Sequence, residues 1–157
     1  MNIEGYNTLN MQLDSLLDRE YRGISNLSNA SALLFNSMED INWAGFYFYD
    51  GEKLFLGPFQ GKVACSILKK DKGVCWCCVR EKKTIIVEDV HAFPGHITCD
   101  ADSKSEIVVP IIFDEVVKGV LDIDSPIVNR FNSFDKDGLE RFVEILKKYI
   151  TIEDFYG

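Results

Sequence analysis

A chain of 157 residues with 46% hydrophobic and 12% aromatic residues has material for one core and not for two. Seventeen basic against twenty-five acidic side chains give a net charge of -8, and no window gathers the cations that a row of phosphates needs, which excludes nucleic acid as a partner. The first twenty residues carry Glu4, Asp14, Asp18 and Glu20 without an apolar signal core, and no stretch nears the roughly 20 apolar residues of a membrane span, so no membrane partner and a cytoplasmic protein are expected.

In chain order, Leu9, Leu13, Leu16 and Leu17, then Leu27, Ala30, Leu33 and Leu34, recur at three- and four-residue spacing, which predicts two helices over residues 6–38 broken near Gly23. The aromatic run Asn42 to Tyr49 meets the turn pair Asp50-Gly51 before Lys53 to Phe59 resumes, which predicts a hairpin. A short strand over residues 65–69 follows, then a turn at Asp71-Lys72-Gly73, a helix over 74–82 and a strand over 84–88. Residues 91–105 carry Pro, Gly, His, Cys and acids without periodicity and read as a structured loop of the kind that carries function. The β-branched stretches 106–113 and 116–123 flank a turn at Asp114-Glu115, and Leu139, Phe142, Val143, Leu146 and Ile150 mark a closing amphipathic helix over 135–150. Helices at 6–38, a sheet with its loops at 41–125 and a helix at 135–150 predict one α+β domain over 1–157, with a mostly hairpin-connected antiparallel sheet of about six strands.

Five cysteines without an export signal fit a reducing compartment, where thiols are structural, metal-binding or redox-active. His91, His96 and Cys99 with Cys75, Cys77 and Cys78 invite a zinc reading. The run Cys75-Trp76-Cys77-Cys78 lacks the two separated pairs of a structural zinc site, so no metal is expected. Cys77 and Cys78 suit small buried hydrophobes on a helix, whereas Cys99, between Thr98 and Asp100, has a polar setting unusual for a structural thiol. For Cys65, position alone does not separate core from function. Glu106, Asp122 and Asp124 sit within or beside strand-like apolar runs, and the last two, two residues apart, project from one face of the sheet. That face is either wet or built around something that shares the charge.

The stretches NWAGFY at 42–47, LGPFQGKVAC at 56–65, GVC at 73–75, EDVHAFPGHITCDADSKSEIVVP at 88–110 and GVLDIDSP at 119–126 together resemble the free methionine-(R)-sulfoxide reductase family, a branch of the GAF-domain proteins. The match covers about half the chain and keeps the spacing of three cysteines. The resemblance implies a GAF-like fold, Cys99 as attacking thiol, Cys65 as its resolving partner and Cys75 as an auxiliary cysteine. It further implies a substrate pocket with Glu106, Asp122 and Asp124 as its acids and Trp43 with Tyr47 as its aromatic wall. A homodimer, recycling by thioredoxin and the absence of any metal or organic cofactor are implied as well. The chain departs from the family at Trp76, Cys77 and Cys78, where small residues are usual, and at Thr98, where Ala is common.

The chemistry so implied is reduction of free L-methionine (R)-sulfoxide to L-methionine, with a sulfenic acid on Cys99 and then a Cys99-Cys65 disulfide. Acids around a thiol oppose its ionisation, so a substrate ammonium that neutralises part of the cluster, or a protonated acid serving the sulfoxide oxygen, is expected to aid the reaction. The rival reading is a GAF module that binds a small molecule or senses oxidants without turnover.

Overall fold

The computed structural model describes residues 1–95 and 101–156, so His96, Thr98, Cys99 and Asp100 lie outside the described residues. The paired stripes near the start form α1 (Ile3–Leu16) and α2 (Gly23–Ser37). Asn2 caps α1 by accepting the Gly5 N–H at 2.8 Å. Leu9, Leu13 and Leu17 are buried, but Leu16 is 41% exposed. Neighbours on a helix point about 100° apart, so only one of Leu16 and Leu17 can continue the stripe.

The first hairpin is β1 (Trp43–Tyr49) and β2 (Leu54–Gly61), and the Asp50 carboxylate closes its turn by accepting from the Glu52 and Lys53 N–H groups. The strand expected over 65–69 shrinks to β3 (Ile67–Leu68) on the sheet edge, and the helix and strand after it are α3 (Val74–Glu81) and β4 (Ile85–Val87). Next come β5 (Ser105–Phe113) and β6 (Val116–Ser125), joined through Asp114 and Glu115 with φ of 50° and 66°. Two consecutive left-handed residues give the turn that matches strand twist in a tight hairpin.

The last helix, α4, runs Ser133–Leu146 and not 135–150. It begins earlier because Asn132 accepts from the Phe134 and Asp135 N–H groups while Asp135 accepts from the Asn132 N–H, a reciprocal cap. Ile150 lies beyond the helix yet packs in the core, which is why the apolar spacing runs on to it.

The strands form one antiparallel sheet in the order β3-β2-β1-β6-β5-β4. Alternation splits it cleanly. Ala44, Phe46, Ile107, Val109, Ile111, Leu121 and Ile123 join the core made with α1, α2 and α4, and at about 1.5–3 kcal/mol per fully buried large side chain this face dominates stability. Trp43, Tyr47, Val108 and Val120 point the other way, into a smaller cluster completed by α3. Gly138 lets α1 and α4 approach: a Cβ there would lie 2.1 Å from the Tyr6 ring.

Candidate active site

On the α3 face, strand register sets three acids into a patch. Asp124 of β6 stands opposite Trp43 of β1 on one side and Glu106 of β5 on the other, and Asp122 lies two residues back on the same face. Glu106 and Asp122 are each only 6% exposed, so this face of the sheet is not simply wet. The acids border a cavity of about 70 Å³ with Trp43, Tyr47 and Cys75. Six residues expected at the site therefore converge: Trp43, Tyr47, Cys75, Glu106, Asp122 and Asp124.

The wall is aromatic. The Trp43 ring stacks on Phe59 at 5.2 Å and on Tyr47 at 5.9 Å between centroids. Both polar ends turn to the segment after β2: Trp43 Nε1 donates to the Lys62 carbonyl and Tyr47 Oη to the Cys65 carbonyl, each at 3.1 Å. Cys65 is thus half-buried beside the cavity and is disulfide-bonded, whereas Cys75, Cys77 and Cys78 are free thiols.

Electrostatics divide the acids. Burial, then repulsion by Asp122 and Asp124, then hydrogen bonding to the same two acids push the Glu106 carboxyl well above its ordinary range. Burial also raises Asp122, but hydrogen bonding with Glu106, Cys75 and Asp124 opposes that rise. Both carboxyls are thus pushed toward the protonated form, Glu106 by burial and by its two acidic neighbours, Asp122 by burial. Asp122 Oδ1 nevertheless remains buried without a hydrogen-bond partner among the described residues. Burial, reinforced by Asp122 and Glu106, drives the Cys75 thiol far up, so Cys75 is a neutral thiol and not a thiolate. Burial likewise keeps the Tyr47 phenol protonated, which makes it a fixed donor.

Two features of the site escaped the reading of residue types. Gly73, Val74 and Cys75, at the start of α3, border the cavity, and among the described residues no side chain caps that helix, so its first N–H groups offer an anion site. Gly73 has φ of 86°, a conformation that suits glycine and that sets the entry of α3. Ser103, at the far stem of the loop, also reaches the cavity and accepts from Asn42 Nδ2 at 3.2 Å. The Asp71-Lys72-Gly73 turn signal was visible, but a turn signal does not say what it faces.

Among the described residues, His91, Cys77 and Cys78 join no cluster that could hold an ion. His91 is exposed and pairs with Asp89 at 3.2 Å, Cys78 is buried against the Val108 carbonyl, and Cys77 is half-buried. Among the described residues, the set whose ligand atoms could surround an ion is Cys75, Glu106 and Asp122, all within 4.8 Å of one another. The same three groups border the cavity, where an ammonium would satisfy them equally well.

This constellation sits in a GAF domain: residues 26–150 match that family. The free methionine-R-sulfoxide reductase of Escherichia coli K12 is 44% identical over 97% of this chain and 92% of its own length, and that of Saccharomyces cerevisiae is 45% identical over 88% and 81%. The structure of the Staphylococcus aureus fRMsr in complex with its substrate superposes with a TM-score of 0.87 at 50% identity, covering 93% of this chain and 95% of the other. The chain belongs to the free methionine-R-sulfoxide reductase family of GAF-domain proteins.

Proposed function

We propose that this chain is a thiol enzyme that reduces free L-methionine (R)-sulfoxide to L-methionine. The observation that carries the reading is the buried acid cluster, in which Asp122 Oδ1 has no partner among the described residues, facing an aromatic wall across a cavity of about 70 Å³. An unpaired buried oxygen costs about 1–3 kcal/mol, and a substrate ammonium removes that cost. The substrate carboxylate goes to the uncapped start of α3, and its methyl and methylenes lie on Trp43 and Tyr47. A peptide-bound sulfoxide has neither terminal charge, which explains a requirement for the free amino acid.

The Cys99 sulfur bonds to the sulfoxide sulfur while protonated Glu106 supplies the oxygen with a proton. The substrate sulfur–oxygen bond breaks as its oxygen, with the Glu106 proton and the Cys99 thiol proton, leaves as water; a water oxygen then bonds to the Cys99 sulfur as the sulfur–sulfur bond breaks, which releases methionine, returns a proton to Glu106 and leaves a sulfenic acid on Cys99. The Cys65 thiol then displaces that oxygen as water and forms the disulfide, so two thiols are oxidised as one sulfoxide is reduced. The disulfide-bonded state of Cys65 supports this assignment. The neutral Cys75 thiol serves as an auxiliary donor to Asp122 and not as the attacking nucleophile. Exchange with a dithiol of the thioredoxin type restores the enzyme. A homodimer and a cytoplasmic setting belong to the same proposal; no helix among the described residues is long and apolar enough to cross a membrane.

The test is NADPH consumption with thioredoxin and its reductase, offering free R-sulfoxide, free S-sulfoxide and a blocked peptide sulfoxide. Turnover confined to the free R form, abolished in Cys99→Ser, is expected. Binding of the R-sulfoxide without turnover would instead make the chain a sensing module.

A further inference from the structure

The backbone that carries Cys65 is held by the substrate wall. Between β2 and β3 the chain leaves the regular ladder, and its carbonyls are taken up by side chains and a single outlying bond. Trp43 Nε1 donates to the Lys62 carbonyl, Tyr47 Oη donates to the Cys65 carbonyl, and the Leu56 N–H donates to the Ser66 carbonyl. Trp43 and Tyr47 lie four apart on β1, which pairs on both sides within the sheet, so the two side-chain donors are fixed to an internal strand. Lys62 also reaches across to Asp102, three residues after Cys99 in the sequence, at 2.7 Å.

We propose that Tyr47 is a positioning residue for the resolving step: its hydroxyl, which holds the Cys65 carbonyl in the disulfide-bonded chain, keeps that backbone in the geometry that the disulfide needs. This rests on the reading of Cys65 as resolving partner. In that step the Cys65 sulfur bonds to the sulfenic sulfur, the sulfur–oxygen bond breaks, and the thiol proton leaves with the oxygen as water. A disulfide needs Cα atoms about 4.4–6.8 Å apart and a defined torsion, so a wandering carbonyl at Cys65 lowers the fraction of time spent in reach. The Tyr47 ring is 3% exposed and stacked on Trp43, and its phenol stays protonated, so the donor is present at all ordinary pH. The same residue that bounds the substrate thereby couples the pocket to the recycling thiol.

Single-turnover quench experiments on the fully reduced enzyme separate the two steps. Methionine formation reports the attack, and loss of alkylatable thiols, with dimedone trapping of sulfenic acid, reports resolution. Tyr47→Phe keeps the ring and removes the bond; thiol loss is expected to slow about fivefold relative to methionine formation, the loss matching one net hydrogen bond, with trapped sulfenic acid rising. Trp43→Phe, which removes the sister bond to Lys62, should shift the same ratio in the same direction. If Cys65→Ser accumulates sulfenic acid but both aromatic variants keep the wild-type ratio, the positioning role is overturned. If Cys65→Ser itself loses thiols at the wild-type rate, the resolving assignment has failed, and this inference with it.

Discussion

Asp135 and Asp122 are both buried carboxylates, and they are treated in opposite ways. Asp135, at 0% exposure, accepts the Tyr6 hydroxyl at 2.6 Å, the Asn132 N–H at 2.9 Å and the Arg130 guanidinium at 3.4 Å. It has a cation, a neutral donor and a backbone donor, and it ties α1, the α4 cap and the preceding loop together. Asp122 shares hydrogen bonds with Glu106, Cys75 and Asp124, but its Oδ1 has no partner among the described residues. One carboxylate is satisfied by the fold; the other keeps an unmet demand directed at a cavity. A buried carboxylate whose partners are all internal is accounted for by the fold, and one with an unpartnered oxygen facing a cavity fits the ligand role proposed for it.

Removing each acid separates the two cases. Asp135→Ala leaves a guanidinium and a hydroxyl without their shared acceptor and should cost about 3–5 kcal/mol in urea unfolding, while kcat/KM of the folded fraction stays near wild type. Asp122→Asn should do the reverse, lowering kcat/KM for the free sulfoxide about 100-fold without loss of stability. If Asp122→Asn instead unfolds the protein and retains activity, the contrast between the two acids is wrong. A smaller effect isolates one bond at the satisfied site: Tyr6→Phe deletes the 2.6 Å contact to Asp135 and should cost about 1.5–3 kcal/mol by the same unfolding measurement, again with no change in kcat/KM.

The contrast between these acids was only half legible in the sequence. The two-residue spacing of Asp122 and Asp124 places them on one sheet face, and the register with β1 and β5 bears that out. Spacing says nothing about what covers that face, however, and the cover comes from the start of α3, some fifty residues upstream of Asp122 and Asp124. Asp135 shows the same limit: its place at the head of a helix was readable, but its bond to Tyr6 spans 129 positions, and no local pattern reports it. The helices were the easier part because each buried stripe is contained in one segment, and errors fell at their ends, where Asn132 and Leu146 set limits that hydrophobic spacing does not mark. Cys65 was ambiguous for the same reason as Asp122, since the bond that fixes its carbonyl comes from Tyr47 on another strand.

Glu106 provides the finest test, because its proton is what distinguishes the unsatisfied cluster from a set of repelling charges. Its pKa in the folded chain lies well above the ordinary value near 4.3 of an unfolded glutamate. A group with a raised folded pKa contributes stability that is fully present below the unfolded pKa and is lost as pH rises through the folded pKa, because the folded state then binds the extra proton and must give it up. Asp122 is raised too, so it acts in the same direction. Wild-type protein without substrate should therefore lose stability from about pH 5 upward. Glu106→Gln carries a permanent neutral donor in place of the protonated acid and escapes that loss. In thermal melts it should unfold about 2–4 °C above wild type at pH 8, the shift for a difference near 1 kcal/mol in a domain of this size, and the gap should close near pH 4. The variant should also lose the acid proposed to serve the sulfoxide oxygen, so stability and activity should move in opposite directions. A gap that stays constant with pH would mean that the proton does not reside on Glu106, and the division of labour among the three acids would have to be redrawn.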